Sequence, residues 1–424
     1  MSRWMPRFGG LVPGLRYLRS FGHINDEKVR GMNAREIFLK VLGFEETMRN
    51  LKWDFGYWGG AITRWQEEGL ESDLEFLGPK RDFIYGEFIS GPGIPYPMPS
   101  YSDDVLFASG IRERFNLDTG TSPFLFNWWY CPRFEMRVIE ETDEKIEYFD
   151  TLGIRRLDFK DERSMPHWLE YPVRNKRDWD RMKEERLNLN DMDERYTADD
   201  PDVYIQGLKE RDFALLLYGS PIGFFGILRF MIGEPDIYYW YYDNPDLLKD
   251  MAEYLCTMWL QIAEELTSKA DFDWCYFFED MAYKGGSLVG PDIFREFMAP
   301  YYRRIIDFAR SRGIKYHIVD SDGYVEELIP LFLEVGMTGL QPFEVRAGND
   351  IERVRKNYPK LAILGGIDKT AFQSTGEIDR ELEKVKRMLP KGGYIPYVDH
   401  AFPPDIGYEQ YRYFRERLNE IVDP

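Results

Sequence analysis

Short apolar runs alternate with longer amphipathic stretches along the chain from about residue 205 onward. The runs are rich in β-branched and aromatic residues, as buried strands are, and they occupy residues 213–219, 273–280, 314–320, 340–345, 361–368 and 394–400. The stretches between them are predicted helices, near residues 243–268, 291–312, 324–336, 349–358, 376–389 and 407–421. Strands that alternate with helices at this spacing form a parallel sheet with helical crossovers. The pattern therefore predicts six βα units in the C-terminal half of the chain.

Polar side chains collect at the C-terminal ends of these predicted strands. They are Ser220, Glu279, Asp280, His317, Asp320, Asp322, Gln341, Glu344, Asp368, Asp399 and His400. An open doubly wound sheet and a closed barrel both accommodate six βα units, so the polar groups have to separate the two folds. In a barrel, the βα loops at this end surround a single pocket. We therefore predict an α/β fold of the (β/α)8 TIM barrel type.

The N-terminal half is less regular. Residues 33–44 have a helical pattern, and residues 51–58 are a candidate for the first strand. From about residue 76 to 204, Gly/Pro-rich loops alternate with β-patterned pieces such as FEMRVIEE and KIEYFDTLG, and a charged helix follows at 175–187. We predict a single barrel domain over residues 1–424, with an irregular N-terminal extension at 1–50 and an insertion of antiparallel hairpins near 76–204.

Composition limits the classes of partner. Lys and Arg number 55 against 74 Asp and Glu, and the net charge of −19 disfavours binding to nucleic acid or to anionic lipid. The sequence has no signal-peptide pattern and no apolar run of transmembrane length, so we expect a soluble, cytoplasmic protein that acts on a small-molecule substrate. The three cysteines, Cys131, Cys256 and Cys275, are too widely spaced for a CxxC metal site, and we expect no disulfide framework.

Two histidines follow predicted strands near carboxylates. A lone histidine beside an apolar strand is more often structural than a ligand. Asp320 and Asp322 follow His317 closely, however, and His400 ends another predicted strand. Two histidines and a carboxylate from different strands suit a zinc ion with an open coordination position. His317, His400 and a carboxylate from a different strand are therefore candidate metal ligands, with a purely structural role for His317 as the alternative.

Aspartates supply candidate acids and bases. Glu279 and Asp280 are adjacent, so in a strand only one of them faces the pocket, and the other caps a turn. A carboxyl group in an apolar, aromatic pocket has a raised pKa and acts as an acid or a base. The candidate catalytic residues are Asp280, Asp320, Asp322 and Asp399.

Aromatic residues make up 16% of the chain and are frequent in its first half, where they indicate either a large core or a pocket for a flat organic ligand. Glycine-bearing turns at 220–226 and 365–369 are typical of tight βα connections, with phosphate binding as the alternative. The candidate substrate-binding residues are Ser220, Gln341, Glu344, Asp368 and Trp58.

Five segments in order, YGSPIGFFGILRF, FFEDMAYKGG, YHIVDSDG, LAILGGIDK and YVDHAFPPD, resemble the uroporphyrinogen decarboxylase superfamily of (β/α)8 barrels. The resemblance covers about residues 213 to 421. This superfamily contains heme-pathway decarboxylases and corrinoid-linked methyltransferases. The decarboxylases bind the pyrroles through an aspartate in a Phe-Ser-Asp-Ile-Leu-type context and the substrate carboxylates through an arginine-rich N-terminal motif. The comparable segment KIEYFDTLG lacks that context, and the chain has no matching arginine motif.

The methyltransferases that act on coenzyme M hold zinc through a His-x-Cys pair and a later cysteine in a Cys-Gly-x-x-Pro context. By this resemblance, His317 takes the place of the histidine, Val319 replaces the first cysteine, and His400 stands where the second cysteine falls. The resemblance therefore implies a nitrogen and oxygen site formed by His317, His400 and a carboxylate such as Glu279, in place of a thiolate site.

The resemblance implies methyl transfer between a small methylated substrate, such as an aromatic methyl ether, and a corrinoid on a partner protein, with zinc as a further candidate cofactor. Cleavage of a methyl ether needs an acid or a Lewis acid on the leaving oxygen. One alternative is a uroporphyrinogen-decarboxylase-like carboxy-lyase. The other is a non-catalytic barrel that binds a tetrapyrrole or a protein partner. The aromatic-rich N-terminal half is also compatible with a homodimer.

Overall fold

A parallel sheet lies at the centre of this α/β protein. The structure is a computed structural model, and it describes residues 31–71, 88–90, 111–159, 167–198, 200–218 and 222–424. The strands are β1 (Gly56–Trp58), β2 (Phe88–Ser90), β3 (Thr121–Pro123), β4 (Arg137–Glu141), β5 (Lys145–Phe149), β6 (Arg155–Phe159), β7 (His167–Glu170), β8 (Ala214–Leu216), β9 (Trp274–Phe278), β10 (Ala282–Tyr283), β11 (Gly286–Ser287), β12 (Tyr316–Asp320), β13 (Gly339–Gln341), β14 (Ala362–Leu364) and β15 (Tyr394–Ile395). The helices are α1 (Ala34–Leu42), α2 (Gly59–Glu67), α3 (Ile111–Arg114), α4 (Lys176–Glu185), α5 (Pro201–Gly207), α6 (Gly226–Ile232), α7 (Asp236–Asp243), α8 (Pro245–Thr267), α9 (Pro291–Phe297), α10 (Ala299–Ser311), α11 (Ile329–Val335), α12 (Ile351–Asn357), α13 (Thr375–Met388) and α14 (Tyr408–Val422).

Strand order in the central sheet follows chain order. The strands β3, β8, β9, β12, β13, β14 and β15 lie side by side in that sequence, and each pair of neighbours is parallel. A doubly wound sheet reverses its strand order at a switch point, and this sheet does not. The six predicted βα units are present, and the arrangement is compatible with a TIM-barrel-like fold.

The segment before β1 contacts both edge strands of this sheet. The amide of Asp118, just ahead of β3, donates to the carbonyl of Lys52 (3.1 Å), and the Asn50 side-chain amide donates to the carbonyl of Tyr394 in β15 (2.8 Å). Strand pairing among the described residues nevertheless leaves β3 and β15 as edges. The structure therefore supports a curled parallel sheet, and closure into the predicted eight-stranded barrel is not shown.

A buried ion pair joins this segment to the C-terminal helix. Asp54 accepts hydrogen bonds from the hydroxyls of Tyr57 (2.6 Å) and Tyr411 (2.9 Å) on its Oδ2 and from Arg415 (3.1 Å) on its Oδ1. Arg415 also donates to the carbonyl of Trp53 (2.8 Å). Asp54 and Arg415 are both inaccessible to solvent. We refer to Asp54, Tyr57, Tyr411 and Arg415 as the Asp54 cluster.

A second, antiparallel sheet lies within the predicted insertion. Its strands β4, β5, β6 and β7 are adjacent in that order, as expected for consecutive hairpins. Ile146 and Tyr148 of β5 are buried and their neighbours along the strand are not, which is the alternation of a sheet with one covered face. The limits of the insertion and of the domain stay a prediction.

Two predicted helices differ from the observed ones. The stretch 291–312 forms α9 and α10, with the break at Met298, because Pro300 has no N–H to continue a single helix. The stretch 324–336 becomes helical only at Ile329, and ahead of it the amides of Tyr324 and Val325 donate to the Tyr283 carbonyl and the Asn349 side chain.

In the described part of the chain, no helix is long and apolar enough to cross a membrane. Even α8, with 23 residues, buries only one face, which includes Leu248, Leu255 and Trp259.

Candidate active site

Three aspartates converge where β9 and β12 end. Asp320 is the last residue of β12, Asp322 follows two positions later, and Asp280 follows the end of β9. One carboxylate oxygen from each lies within 4.8 Å of those of the other two. Within the described ranges, no other group of three or more His, Cys, Asp or Glu residues has its potential ligand atoms this close together. The cluster lies at the C-terminal ends of parallel strands, which is where barrel enzymes carry their active sites.

Asp320 is 4% exposed, and its carboxyl group lies on the same face of the sheet as the side chain of Tyr276 in β9. Its Oδ2 accepts hydrogen bonds from the Tyr276 hydroxyl and the Gln341 side-chain amide, both at 2.7 Å. Burial, together with the charges of Asp322 and Asp280, raises the pKa of Asp320 to about 8. Asp320 is therefore a protonated acid at neutral pH.

Asp280 has a left-handed backbone conformation (φ 47°), which is unusual for a residue other than glycine. Arg229 donates to its carbonyl oxygen (3.1 Å) and to its Oδ2 (3.2 Å), and the amide of Asp322 donates to its Oδ1 (3.3 Å). Burial and the charge of Asp322 raise the pKa of Asp280 to about 6, against the opposing effect of Arg229. The guanidinium of Arg229 is therefore paired with Asp280.

Asp322 faces His400. Its Oδ2 lies 3.6 Å from the Nε2 of His400, and 39% of its side chain is exposed. Burial acts to raise the pKa of Asp322, but the interaction with His400, with Lys369 and Arg229 adding to it, lowers that pKa from its usual value. Burial acts to lower the pKa of His400, and Asp322 outweighs it, so the pKa of His400 is raised. Asp322 is therefore ionised at neutral pH.

The imidazole of His400 is held on both nitrogens. The amide of Ala401 donates to Nδ1 (2.8 Å), so the neutral ring carries its proton on Nε2, the nitrogen that faces Asp322. The rings of Phe55 and Trp58 stack against it, with centroids at 5.1 and 6.3 Å. Trp58, predicted to bind substrate, thus lies beside His400, and the N-terminal segment contributes aromatic rings to the site.

The loop that carries Asp322 is held by its neighbours. Gly323 has φ 82°, and a Cβ there would lie 2.5 Å from the carbonyl carbon of Ala282, so only glycine fits without displacement. Its amide donates to Glu344 (3.1 Å), and its carbonyl accepts from Asn349 (2.8 Å). Glu344, predicted from sequence to bind substrate, therefore positions this loop.

A family model described as Uroporphyrinogen decarboxylase (URO-D) matches residues 149–421, which is more than half of the chain. The chain belongs to the uroporphyrinogen decarboxylase family. A search of the curated proteins finds no match. Every residue of the site described above lies in the matched range except Phe55 and Trp58. These two rings, which stack against His400 and which we call the aromatic wall, therefore come from outside the part that the family model covers.

The structure does not bring together the metal ligands predicted from sequence. His317 is three positions from Asp320 in the same strand, so their side chains face opposite sides of the sheet. Its Nδ1 lies 3.1 Å from the carbonyl oxygen of Lys315, and burial lowers its pKa to about 3. The imidazole is therefore neutral and buried, on the face of β12 opposite to Asp320.

Glu279 is likewise engaged away from the trio. Its two carboxylate oxygens accept hydrogen bonds from the amides of Phe224 (2.7 Å), Phe225 (2.7 Å) and Gly226 (2.9 Å), at the start of α6. Burial raises the pKa of Glu279 to about 7, although these three hydrogen bonds oppose the shift. With Glu279 capping backbone amides, His317 on the face of β12 opposite to Asp320 and Val319 in place of a cysteine, the residues present do not fit the zinc site of the family's coenzyme M branch.

Two further aspartates stabilise the backbone of neighbouring loops. Asp399, predicted to be catalytic, accepts from the amides of Val345 (2.6 Å) and Lys369 (3.1 Å). Burial raises the pKa of Asp399 to about 6, against the effect of these bonds. Asp368, predicted to bind substrate, accepts from the Thr370 amide (2.8 Å) and pairs with Arg346 (2.9 Å). The carboxylates of both residues are thus engaged in holding βα loops, whereas Asp280, Asp320 and Asp322 form the trio.

Ser220, predicted to bind substrate, lies outside the described residues.

Sequence reasoning missed Tyr276, Tyr397 and Arg229. The two tyrosines carry a usable signal, because each is a polar aromatic residue in or just after a predicted strand. Tyr276 is also two positions from Phe278, the register neighbour of Asp320, and therefore on the same face of the sheet. Arg229 lies in α6 within an apolar run, and nothing in its local sequence connects it with Asp280.

Proposed function

We propose that this protein transfers a methyl group from a small methylated substrate, such as an aromatic methyl ether, to a corrinoid carried by a partner protein. The observation that supports this function is Asp320, a buried carboxyl group that holds its proton at neutral pH and lies beside two further carboxyl groups. Methyl ethers have poor leaving groups, and a positioned acid with a pKa near the working pH is the group that their cleavage needs.

Asp320 acts as the general acid in this proposal. As the bond between the methyl carbon and the ether oxygen breaks, the bonding electron pair stays on the oxygen, which takes the proton of Asp320. A corrinoid reduced to Co(I), carried by the docked partner protein, would supply the electron pair for the new bond to the methyl carbon. Asp320 then regains a proton from water, because its pKa of about 8 favours the protonated form at neutral pH.

The other groups of the site restrict the substrate. Asp322 is ionised, and the guanidinium of Arg229 is paired with Asp280, so a substrate carboxylate at the trio would be repelled by Asp322 and would compete with Asp280 for Arg229. Phe55 and Trp58 present aromatic surface next to His400, which suits a substrate with a ring. Both properties favour a neutral methylated aromatic compound over uroporphyrinogen.

The test is methyl transfer by the purified protein. The protein is mixed with a reduced corrinoid protein and a panel of aromatic methyl ethers, and methylation is followed by the absorbance of the corrinoid and by release of the phenol. We expect turnover in the wild type, and a loss of about 10²- to 10⁴-fold in kcat for Asp320→Asn. Asp307→Asn, a substitution at an exposed aspartate of α10, is the charge-matched control and should leave kcat unchanged. Absence of turnover across the panel argues against the proposal.

Decarboxylation is the second candidate, and the family match over residues 149–421 favours it. A protonated Asp320 suits this reaction as well, since the carbanion left by loss of CO₂ has to be protonated. Release of labelled CO₂ from carboxyl-labelled uroporphyrinogen, abolished by Asp320→Asn, would establish the decarboxylase. Methyl transfer without CO₂ release would exclude it.

A further inference from the structure

The two oxygens of Asp320 differ in their partners. Oδ2 accepts two hydrogen bonds, from the hydroxyl of Tyr276 and the side-chain amide of Gln341, each at 2.7 Å. Oδ1 accepts no hydrogen bond from the residues that the structure describes. A carboxyl oxygen that already accepts two hydrogen bonds has little room for a proton of its own.

Gln341 is fixed in orientation by a second hydrogen bond. Its Oε1 accepts from the hydroxyl of Tyr397 (3.0 Å), and both residues are inaccessible to solvent. Burial, with a contribution from the charge of Asp320, raises the pKa of Tyr397, so its hydroxyl stays protonated and donates. With Oε1 facing a donor, the amide nitrogen of Gln341 has to face Asp320, since rotation of the amide would lose both bonds. Gln341, predicted from sequence to bind substrate, is therefore a link between two interior side chains.

We propose that Tyr276, Gln341 and Tyr397 are positioning residues that place the proton of Asp320 on Oδ1, the oxygen left available to a substrate. Tyr276 and Gln341 occupy Oδ2 as donors, and Tyr397 fixes the amide of Gln341. The catalytic consequence rests on the proposed function, in which Asp320 is the general acid. The location of the proton rests on the hydrogen bonds alone.

Removal of either direct donor has two effects. Oδ2 becomes free to carry the proton, so a fraction of the acid points away from the substrate, and kcat falls while KM changes little. The ionised form of Asp320 also loses a hydrogen bond that favours it, so the pKa of Asp320 rises further. A residue that only packed in the core would change neither the titration of Asp320 nor the pH dependence of kcat.

The experiment compares Tyr276→Phe, Gln341→Met and Tyr397→Phe with the wild type. The Asp320 carboxyl is followed in full-length protein by ¹³C NMR with labelled aspartate, and its signal is assigned by its absence in Asp320→Asn. We expect an upward shift of the titration in Tyr276→Phe and Gln341→Met, and a smaller one in Tyr397→Phe, where Gln341 remains. We expect kcat to fall by up to about 100-fold.

The matched control is Tyr218→Phe. Tyr218 is another buried tyrosine, and its hydroxyl has no hydrogen-bond partner among the described residues. Its substitution should leave the titration and kcat unchanged. Thermal unfolding verifies that each variant is folded, and Gln341→Met still tests the inference if Tyr276→Phe does not fold.

The two proposals fail in different ways. An Asp320 titration that is identical in the wild type, Tyr276→Phe and Gln341→Met overturns the positioning role, whether or not the protein transfers methyl groups. A titration that shifts as expected in a protein without methyl transfer supports the positioning role and overturns the proposed function.

Discussion

The molecule contains two buried aspartates with similar donors and opposite surroundings. Asp54 and Asp320 each accept two hydrogen bonds on Oδ2, from two tyrosines at Asp54 and from Tyr276 and Gln341 at Asp320. At Asp54, the other oxygen pairs with Arg415, and solvent is excluded. At Asp320, the neighbours are the carboxyl groups of Asp280 and Asp322.

The difference separates a structural carboxylate from a candidate catalytic one. A buried charge that only stabilises the fold requires a counter-ion and a full set of hydrogen bonds, and Asp54 has both. Within the described residues, no hydrogen bond or ion pair joins Asp320 to a cation, and its burial beside like charges makes it an acid at neutral pH. Substitution should therefore damage the fold at the first aspartate and the chemistry at the second.

The largest effect on stability is expected from Arg415→Ala. The substitution leaves Asp54 as an unpaired buried charge, so the free energy of unfolding should fall by about 3–5 kcal/mol. Urea denaturation measures this change. Arg417→Ala removes an exposed arginine two positions away and should change it by less than about 0.5 kcal/mol. Equal losses of unfolding free energy in the two variants would mean that the Asp54 cluster does not stabilise the packing of the segment before β1 against α14.

The next effect concerns the loop that carries Asp322. Gly323→Ala introduces a Cβ that collides with the backbone of Ala282, whereas Gly313→Ala has the same kind of backbone conformation (φ 81°) and open space around it. Both substitutions incur the strain of a left-handed alanine, and the collision should cost Gly323→Ala about 1–3 kcal/mol more. Denaturation curves of the two variants measure this difference. A difference near zero would mean that the loop shifts freely and that the aspartate trio is not held in place.

A third test uses the pH dependence of stability. Because the pKa of Asp320 is raised to about 8, its proton stabilises the folded state fully below the pKa of the unfolded chain, near 4. That contribution is lost as the pH rises towards 8, by up to about 1.4 kcal/mol per pH unit. Asp320→Asn should therefore lose less stability than the wild type between pH 5 and pH 8 in urea denaturation. Asp307→Asn should follow the wild type. Parallel curves for the wild type and Asp320→Asn contradict the raised pKa.

The smallest effect should come from Asp322→Asn. The carboxylate of Asp322 raises the pKa of His400, so its removal should lower that pKa. Imidazole signals in a proton NMR titration report the change. The signals of His167, which lies in β7 of the antiparallel sheet, are compared between the wild type and the variant as the reference. An unchanged His400 titration would show that the 3.6 Å approach does not persist in solution.

The sequence was informative where periodicity decides the structure. The six βα units, the parallel sheet and the collection of polar groups at strand ends all follow from apolar runs and their spacing, and the same spacing makes Asp280, Asp320 and Asp322 candidate site residues. The same alternation argues against His317 as a metal ligand beside Asp320. A residue three positions before Asp320 faces the other side of the sheet and lies roughly 10 Å away along the strand.

Other features depend on contacts that no local pattern contains. The carboxylate of Glu279 caps amides at residues 224–226, which belong to a different βα unit. Asp399 binds amides of two other loops in the same way. Such roles depend on which backbone groups the fold leaves without partners, and this becomes known only when the strands are placed side by side.

The Asp54 cluster also bears on the order in which the chain assembles. Asp54 and the arginine that neutralises it are separated by 361 residues. During synthesis, the segment around Asp54 emerges long before Arg415 exists, and burying it early would leave a charge without its counter-ion. We therefore expect the segment that supplies Phe55 and Trp58 to the site to become fully stable in place once α14 is present. Contacts of such long range slow folding, so completion of the aromatic wall beside His400 should be among the last events in the maturation of this protein.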